Sequence, residues 1–315
     1  MAHLLCASLS EPFAIDANAE SALPPFLLRT RLSTESLLGA TRFVPNSTEE
    51  ALTATFASWN LLDAIMYQHM PDSPFQTGYL RELQLRRMIE LVREPHVRTY
   101  VEVGMNGGHS LMAMLLANPR LHADVFDLFK WKYSWSAASL INATFPGRAT
   151  FHEGWSHRTL PVFTREARTR GLTGDLMLVD GGHTFRAARA DLEELQAIAN
   201  AQTMVVTDDI GMPPGYAIKV LNRTGTLKIV ERYGPFPRRS LHSPCMRAPA
   251  SMPAERRKSG RMCPSWGFAV SRFGFPGRVQ AAASSTTSGG SGGDASPKPS
   301  TSSGGGSLDR LSDQG

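Results

Sequence analysis

The sequence predicts an α/β protein whose core is a Rossmann-like, doubly wound sheet of seven mostly parallel strands. Short runs of apolar and β-branched residues alternate with helix-length amphipathic segments between residues 99 and 272. Glycines or acidic residues follow each of the first five runs. Ligands bind beyond the carboxyl ends of the strands in such sheets, so these residues are the candidates for a site.

A helical region precedes the predicted sheet. Residues 1–45 show no sustained periodicity and are predicted to form an irregular extension. The pattern Ser47-Thr-Glu-Glu50 is a capping box that opens a helix over residues 48–68. A second amphipathic helix covers residues 78–94. The predicted strands are 99–103, 123–127, 149–152, 175–179, 203–207, 226–231 and 267–272, and the helices between them are 109–117, 134–143, 158–170, 184–199 and 214–222.

The chain of 315 residues is predicted to hold one main domain, residues 46–275, because the last 40 residues lack a core pattern. Residues 46–95 contribute its N-terminal helices. Residues 233–264 interrupt the last pair of strands and are predicted to be a long loop insertion. Residues 276–315 are rich in serine, threonine and glycine, which is typical of a disordered, flexible tail.

The formal net charge of +5 and the pI of about 9.3 raise the question of nucleic-acid binding. Much of the excess positive charge lies in residues 238–261, which are also rich in proline and serine. A solvated loop explains such a segment better than a nucleic-acid interface, in which basic residues alternate with aromatic ones. The sequence therefore disfavours a nucleic-acid partner.

The three cysteines, Cys6, Cys245 and Cys263, are too few and too scattered for a disulfide framework or a zinc site. The small number of scattered cysteines favours a reducing, intracellular location. The cytoplasm is expected, and an organelle is left open. No run reaches the roughly 18 apolar residues of a membrane span, so no membrane partner is expected. A homo-oligomer is left open.

The glycine-rich turn after the first predicted strand has a specific spacing: Gly104, Gly108 and Ser110 follow Glu102 by two, six and eight positions. This spacing does not fit the dinucleotide fingerprint G-x-G-x-x-G. Glycines let the backbone approach a ligand, and the helix N-terminus behind them attracts negative charge. The pattern resembles motif I of class I S-adenosylmethionine (SAM) methyltransferases, most closely their metal-dependent O-methyltransferase branch. The resemblance spans roughly residues 78–273 and implies that these four residues bind SAM.

Asp127 ends the second predicted strand, 25 residues after Glu102. A carboxylate accepts two donors at once, so Asp127 is suited to both ribose hydroxyls, and its position fits motif II of the same family. The alternative is a solvated carboxylate at a strand end. Gly154-Trp155-Ser156 resembles the family's Gly-Asp-Ser, which implies that Ser156 lies near the adenine. Tryptophan replaces the family's aspartate, which leaves the contact to the adenine edge open.

Asp180, Asp208 and Asp209 follow the fourth and fifth predicted strands. Converging carboxylates repel one another unless a cation lies between them, and oxygen ligands without cysteine suit Mg²⁺, Mn²⁺ or Ca²⁺. The trio resembles the metal site of metal-dependent O-methyltransferases. Asp180-Gly-Gly-His183 also resembles a signature of the macrolide sugar O-methyltransferases and the related cephalosporin-hydroxylase group. The resemblance implies a divalent cation, with Mg²⁺ as the first choice; the alternative is that Asp208 or Asp209 only caps the next loop.

His183 follows Asp180 by three residues, on the turn into the predicted helix 184–199. In related enzymes a lysine or a histidine at this offset takes the proton of the acceptor hydroxyl, so the resemblance implies that His183 is the general base. Imidazole accepts a proton near neutral pH, which suits this role. A helix-capping role and a role as a fourth metal ligand are the alternatives.

With this resemblance, the sequence predicts SAM-dependent methyl transfer to a hydroxyl of a small-molecule acceptor, assisted by a divalent cation. One alternative is a hydroxylase-like member of the same family, although such iron sites usually present two histidines and one carboxylate. Two others are a protein that keeps the fold without activity and a methyltransferase acting on a nucleic acid or protein. The residues do not identify the acceptor.

Overall fold

The computed structural model describes residues 44–69, 80–236 and 266–275. Two helices, α1 and α2, precede the sheet, and strands then alternate with helices as predicted. The helices are α1 Thr48–His69, α2 Glu82–Val92, α3 His109–Ala117, α4 Lys132–Thr144, α5 Ser156–Thr169, α6 Phe185–Leu195 and α7 Pro213–Arg223, with a 3₁₀ turn at Gln196–Ile198. The strands are β1 Thr99–Val103, β2 His122–Asp127, β3 Ala149–Glu153, β4 Leu176–Val179, β5 Met204–Thr207, β6 Leu227–Phe236 and β7 Trp266–Phe273.

These strands form one seven-stranded sheet in the order β3-β2-β1-β4-β5-β7-β6. The first five strands are parallel, and β7 runs antiparallel to both β5 and β6. The predicted doubly wound, mostly parallel sheet is confirmed. The chain winds outward in opposite directions from β1 and β4, so the carboxyl ends of these strands border the crevice in which such sheets bind ligands.

Helices cover both faces of the sheet. Because successive side chains of a strand point to opposite faces, each strand packs against helices on both sides. In β1, Tyr100 packs into the apolar cluster shared with α1 to α4, whereas Val101 and Val103 pack into the cluster shared with α5 to α7. The parallel strands are therefore almost continuously apolar, as burial on both faces requires. This double packing fixes the strand ends on which the site is built.

The predicted capping box at the start of α1 is present in a modified form. Ser47 Oγ accepts a hydrogen bond from the backbone N–H of Glu50 at 3.1 Å. Glu50 Oε2 in turn accepts from the backbone N–H of Asn46 at 2.8 Å, one residue earlier than the reciprocal bond of a standard box. The 22-residue helix α1 then packs against α2, α3 and α4.

Most predicted boundaries shift by one to four residues, and two of the shifts concern β6 and the helix after Asp180. Residues 233–236, which the sequence places in the loop insertion, belong to β6, where Tyr233 pairs with Phe268 and Phe236 with Trp266. The Tyr233 and Phe268 rings stack with their centroids 4.4 Å apart, which extends the antiparallel pair. The helix predicted over 184–199 ends at Leu195 and continues as a short 3₁₀ turn.

The predicted extension over residues 1–45 falls almost entirely outside the described residues, as does the remainder of the loop insertion, 237–264. The predicted tail, 276–315, lies outside them entirely, so these three assignments stay predictions. Within the described ranges, no helix is both long and apolar enough to cross a membrane.

Candidate cofactor and cation site

The turn after β1 depends on glycine at both positions that the sequence singled out. Gly104 has φ +97°, and a Cβ there would lie 2.3 Å from the backbone oxygen of Asp180. Gly108 has φ +78° directly before α3, and a Cβ there would lie 2.7 Å from Ile141 Cδ1. Any side chain would push the turn away from β4 or α4. The backbone of this turn therefore lies close to the crevice between β1 and β4.

Glu102 and Ser110 lie behind this turn rather than in the open crevice. Both side chains are buried, and Ser110 Oγ donates a hydrogen bond to Glu102 Oε1. Burial raises the pKa of Glu102 to about 8, opposed by the hydrogen bonds from Ser110 and Tyr100. The structure thus brings the two residues together as internal support for the turn, and their direct contact with a cofactor stays a prediction.

Asp127 connects the turns that follow β1 and β2. Its Oδ2 accepts a hydrogen bond from the backbone N–H of Asn106 at 2.9 Å, and its Oδ1 accepts from the backbone N–H of Phe129 at 2.7 Å. Asn106 and Phe129 both have positive φ, 51° and 48°, so the two turns curl towards the carboxylate. Each oxygen keeps a lone pair for a further donor. Asp127 is therefore a fixed, partly exposed anion at the edge of the crevice.

The turn after β3 lies directly beside Asp127. The backbone N–H of Gly154 donates to the backbone oxygen of Asp127 at 2.9 Å, and Ser156 begins α5. Trp155 between them is 57% exposed, and Trp131 after β2 is 47% exposed. The predicted adenine region thus carries aromatic surface, while the contact of Ser156 with adenine stays a prediction.

On the side of β1 opposite to β2, the carboxyl ends of β4 and β5 bring Asp180, His183 and Asp209 together. One ligand atom from each lies within 4.8 Å of the other two. His183 Nε2 lies 3.5 Å from Asp209 Oδ2 and 3.9 Å from Asp180 Oδ1. Two carboxylates and one imidazole could bind a divalent cation such as Mg²⁺ or Mn²⁺. We call these three residues the cation cluster.

Asp208 lies outside the cation cluster, although the sequence analysis grouped it with Asp180 and Asp209. Its side chain is buried, and its Oδ1 accepts no hydrogen bond from the described residues. Burial, followed by the charge of Asp209, raises the pKa of Asp208 to about 6, while Arg81 lowers it. The structure brings His183, rather than Asp208, together with Asp180 and Asp209, because adjacent residues on this turn have different neighbours. The predicted trio of Asp180, Asp208 and Asp209 as cation ligands stays a prediction. Cation binding itself stays a prediction.

Burial also raises the pKa of Asp180 well above its ordinary range, with the charges of Asp208 and Asp209 adding to the effect. Like charges this close favour the neutral form of one carboxyl unless a cation compensates them. The cluster therefore has the electrostatics of a site that gains from binding positive charge.

Sequence reasoning missed two residues that contact or surround these groups. His109, the first residue of α3, is fully buried, with Nε2 3.0 Å from Asp63 Oδ1 of α1. The indole N–H of Trp59 donates to the backbone oxygen of His109 at 2.9 Å. The sequence signal for His109 was a histidine at the start of an otherwise apolar helix. Arg81 directly precedes α2, and its guanidinium carbon lies 4.4 Å from the ring centroid of Trp266. No local pattern distinguished it from Arg86 and Arg87 in the helix.

Comparisons with known proteins agree with this architecture. Residues 101–210 match a family model described as a methyltransferase domain. No curated protein sequence matches the chain.

Solved structures with a similar fold include three O-methyltransferases. TomG from Streptomyces achromogenes, involved in tomaymycin synthesis and solved with SAM, is 14% identical, covering 78% of this chain and 98% of TomG with a TM-score of 0.48. The Bacillus cereus enzyme, solved with S-adenosylhomocysteine (SAH), is 12% identical over 74% of this chain and 94% of its own, with a TM-score of 0.45. CalS11, a TDP-rhamnose 3'-O-methyltransferase of calicheamicin biosynthesis, is 20% identical over 60% of this chain and 92% of its own, with a TM-score of 0.40.

The match of residues 101–210 to a methyltransferase domain, on a chain with this sheet and this glycine turn, supports an enzyme of the methyltransferase class. The predicted class is confirmed. The likenesses to solved structures are too low in identity and TM-score to carry a conclusion about the cofactor, the acceptor or a cation.

Proposed function

We propose that the protein transfers the methyl group of SAM to a hydroxyl of a small-molecule acceptor with the help of a divalent cation. The observation that carries this proposal is the arrangement along the crevice. The glycine turn and Asp127 lie at the ends of β1 and β2, and the cation cluster lies at the ends of β4 and β5. A methyl donor on one side would thus face an activated oxygen on the other.

On the donor side, the absence of a side chain at Gly104 and Gly108 lets the turn pack closely against Asp180 and Ile141 at the edge of the crevice. Asp127 offers its remaining lone pairs to the ribose hydroxyls. Trp155 offers an exposed ring face to the adenine, beside the Ser156 turn. These contacts would orient the sulfonium, which brings its own leaving group, so that orientation is the main catalytic contribution on this side.

On the acceptor side, Asp180 and Asp209 would hold the cation, and His183, whose side chain is 54% exposed, would take the proton. A bound divalent cation lowers the pKa of a hydroxyl and fixes its oxygen. In the transfer, the hydroxyl oxygen bonds to the methyl carbon as the carbon–sulfur bond breaks. The hydroxyl proton passes to the imidazole, and the products are the methyl ether and SAH.

The alternative of a hydroxylase-like activity is less well supported. Oxygen-activating iron sites of the facial type use two histidines and one carboxylate. The cation cluster found among the described residues has the reverse composition, with one histidine and two aspartates.

Replacing His183 with Ala tests the proposed base. We expect methyl transfer to fall by about 10²- to 10⁴-fold, because proton removal in the transition state loses its acceptor. SAM affinity should stay within about threefold, since the donor contacts lie on other strands. Turnover is measured with labelled SAM against a panel of hydroxylated small molecules, and affinities by calorimetry. His96→Ala, an exposed histidine in the loop before β1, is the matched control.

The other roles of His183 give different results in the same experiment. If His183 is a cation ligand, the His183→Ala variant should lose Mn²⁺ affinity together with turnover rate. The side-chain cap of α6 is Thr184, whose Oγ1 accepts a hydrogen bond from the backbone N–H of Ala187 at 3.1 Å, so the predicted capping alternative for His183 is wrong. If His183 is structural in another way, the His183→Ala variant should have a lower melting temperature with little specific loss of rate. Near wild-type turnover in a folded His183→Ala variant would rule out the base, and absence of SAM binding in the wild-type protein would overturn the proposed function.

A further inference from the structure

Tyr133 reaches from the first turn of α4 to the glycine turn after β1. It is buried, and its ring packs in a small apolar cluster with Ile65 and Met66 of α1. Its hydroxyl donates a hydrogen bond to Asn106 Oδ1 at 2.6 Å. Asn106 is the middle residue of the glycine turn, so this bond joins a buried side chain of α4 to the turn that borders the crevice.

Asn106 has a backbone conformation that needs support. Its φ is +51°, in the left-handed region that residues other than glycine rarely adopt. Asparagine tolerates this region better than most residues. Its backbone N–H donates to Asp127 Oδ2 at 2.9 Å, while its side chain accepts from Tyr133. The two bonds hold both the backbone and the side chain of Asn106, so a change of φ would strain or break at least one of them.

The orientation of the Asp127 carboxylate depends on the same turn. Each of its oxygens accepts one hydrogen bond from a backbone N–H, Oδ2 from Asn106 and Oδ1 from Phe129, and the two bonds fix the plane of the carboxylate. The lone pairs that remain point in directions set by these two donors. A shift of Asn106 would rotate the carboxylate or remove the donor to Oδ2. Tyr133 thus acts on Asp127 through Asn106.

We propose that Tyr133 and Asn106 are positioning residues for the methyl donor. Their hydrogen bond holds the glycine turn in the conformation in which Asp127 offers its remaining lone pairs to the ribose hydroxyls of SAM. Neither residue needs to contact SAM for this role. The inference rests on the proposed function, and it adds that donor binding depends on a hydroxyl of α4.

Binding of SAM and SAH to the whole chain, measured by calorimetry, tests this role. Tyr133→Phe removes only the hydroxyl and keeps the ring in its apolar cluster. We expect it to weaken the binding of both ligands about 5- to 10-fold, because the turn loses a hydrogen bond that fixes it. Asn106→Gly removes the acceptor of this bond but can adopt the same positive φ, so it should weaken binding to a similar extent.

The double variant decides whether the two residues act as one unit. Once residue 106 is glycine, the Tyr133 hydroxyl has no side chain in the turn to hold. Tyr133→Phe should then change the affinity by less than about twofold in the Asn106→Gly background. It should cost less than about threefold in an Asp127→Asn background, in which the charged acceptor for the ribose is already lost. A loss as large in either background as in the wild type would overturn the inference.

Tyr233→Phe is the matched control, because it also removes a tyrosine hydroxyl that donates a hydrogen bond. The acceptor is Glu231 Oε2 at 2.8 Å, and both residues lie on β6, the edge strand remote from β1 and β2. This variant should bind SAM and SAH within about twofold of wild type, whatever its melting temperature. A Tyr133→Phe variant that melts earlier but binds SAM as wild type does would show a purely structural role and would contradict the proposal.

The same titrations separate this inference from the proposed function. If the wild-type protein binds neither SAM nor SAH, the proposed function fails, and the positioning role fails with it. If the wild-type protein binds SAM and Tyr133→Phe binds it equally well, only the positioning role fails.

Discussion

Glu102 is buried in the centre of β1, and Ser110 is its hydrogen-bond donor. Because burial raises its pKa from 4.5 to about 8, the native protein keeps a proton on Glu102 at pH values where the unfolded chain has lost it. The native state then binds more protons than the unfolded state, so the contribution of Glu102 to stability falls as pH rises through this window. Above about pH 8 the loss is complete.

This reasoning predicts the pH dependence of a Glu102→Gln variant. Glutamine keeps an acceptor for Ser110 and cannot ionise, so its melting temperature relative to wild type should increase from pH 5 to pH 8. Thermal unfolding at three pH values within this range measures the difference. Glu94→Gln, at an exposed position after α2, serves as the control and should show no such trend. A constant difference for Glu102→Gln across the range would contradict the raised pKa.

At the scale of the element, α1 is coupled to the glycine turn although it lies outside the residues that match the methyltransferase domain. Asp63 and Trp59 hold the ring and the backbone of His109, which follows Gly108 directly. A Cβ on Gly107 would also lie 2.8 Å from Met66 Sδ of α1. The position of the turn therefore depends on a helix that is distant in sequence.

An Asp63→Asn variant tests this coupling. Asparagine keeps an acceptor oxygen for His109 but removes the charge from this buried hydrogen bond, which costs about 1–1.5 kcal/mol. If the turn shifts as a result, SAM affinity should fall about 10-fold. Calorimetry measures the affinity. Glu49→Gln, an exposed acid-to-amide change on the same helix, should leave it unchanged. If Asp63→Asn lowers only the melting temperature and not SAM affinity, α1 is a structural support alone.

In the whole molecule, the donor side and the cation side of the crevice lie on different strands, β1 and β2 against β4 and β5. We therefore expect EDTA to leave SAM affinity within about threefold. Asp127→Asn should weaken SAM binding at least about 10-fold, by loss of hydrogen bonds to a charged acceptor, and should leave Mn²⁺ affinity unchanged. Paired calorimetric titrations of wild type and variant measure both ligands. Loss of SAM binding on chelation would show that the two sides form a single site.

The sequence predicted the sheet, because the alternation of apolar strands and amphipathic helices depends on residues close together in the chain. It also predicted the glycine requirement at Gly104 and Gly108 and the polar strand ends, since these follow from local backbone geometry. It did not predict the continuation of β6 to Phe236. That boundary depends on pairing with Trp266, 30 residues later in the chain.

The composition of the cation cluster was decided by tertiary structure. Asp208 and Asp209 are equivalent in a sequence pattern, and only the positive φ at Asp209 and the burial of Asp208 towards α2 separate them. Arg81 and His109 acquire their contacts from residues far away in the chain, Trp266 for Arg81 and Asp63 for His109. The spacing of apolar residues within a segment indicates whether it forms a helix or a strand, because that spacing reflects which of its faces is buried. Which side chains meet depends on how the elements pack, and long-range packing leaves no pattern in the neighbouring residues.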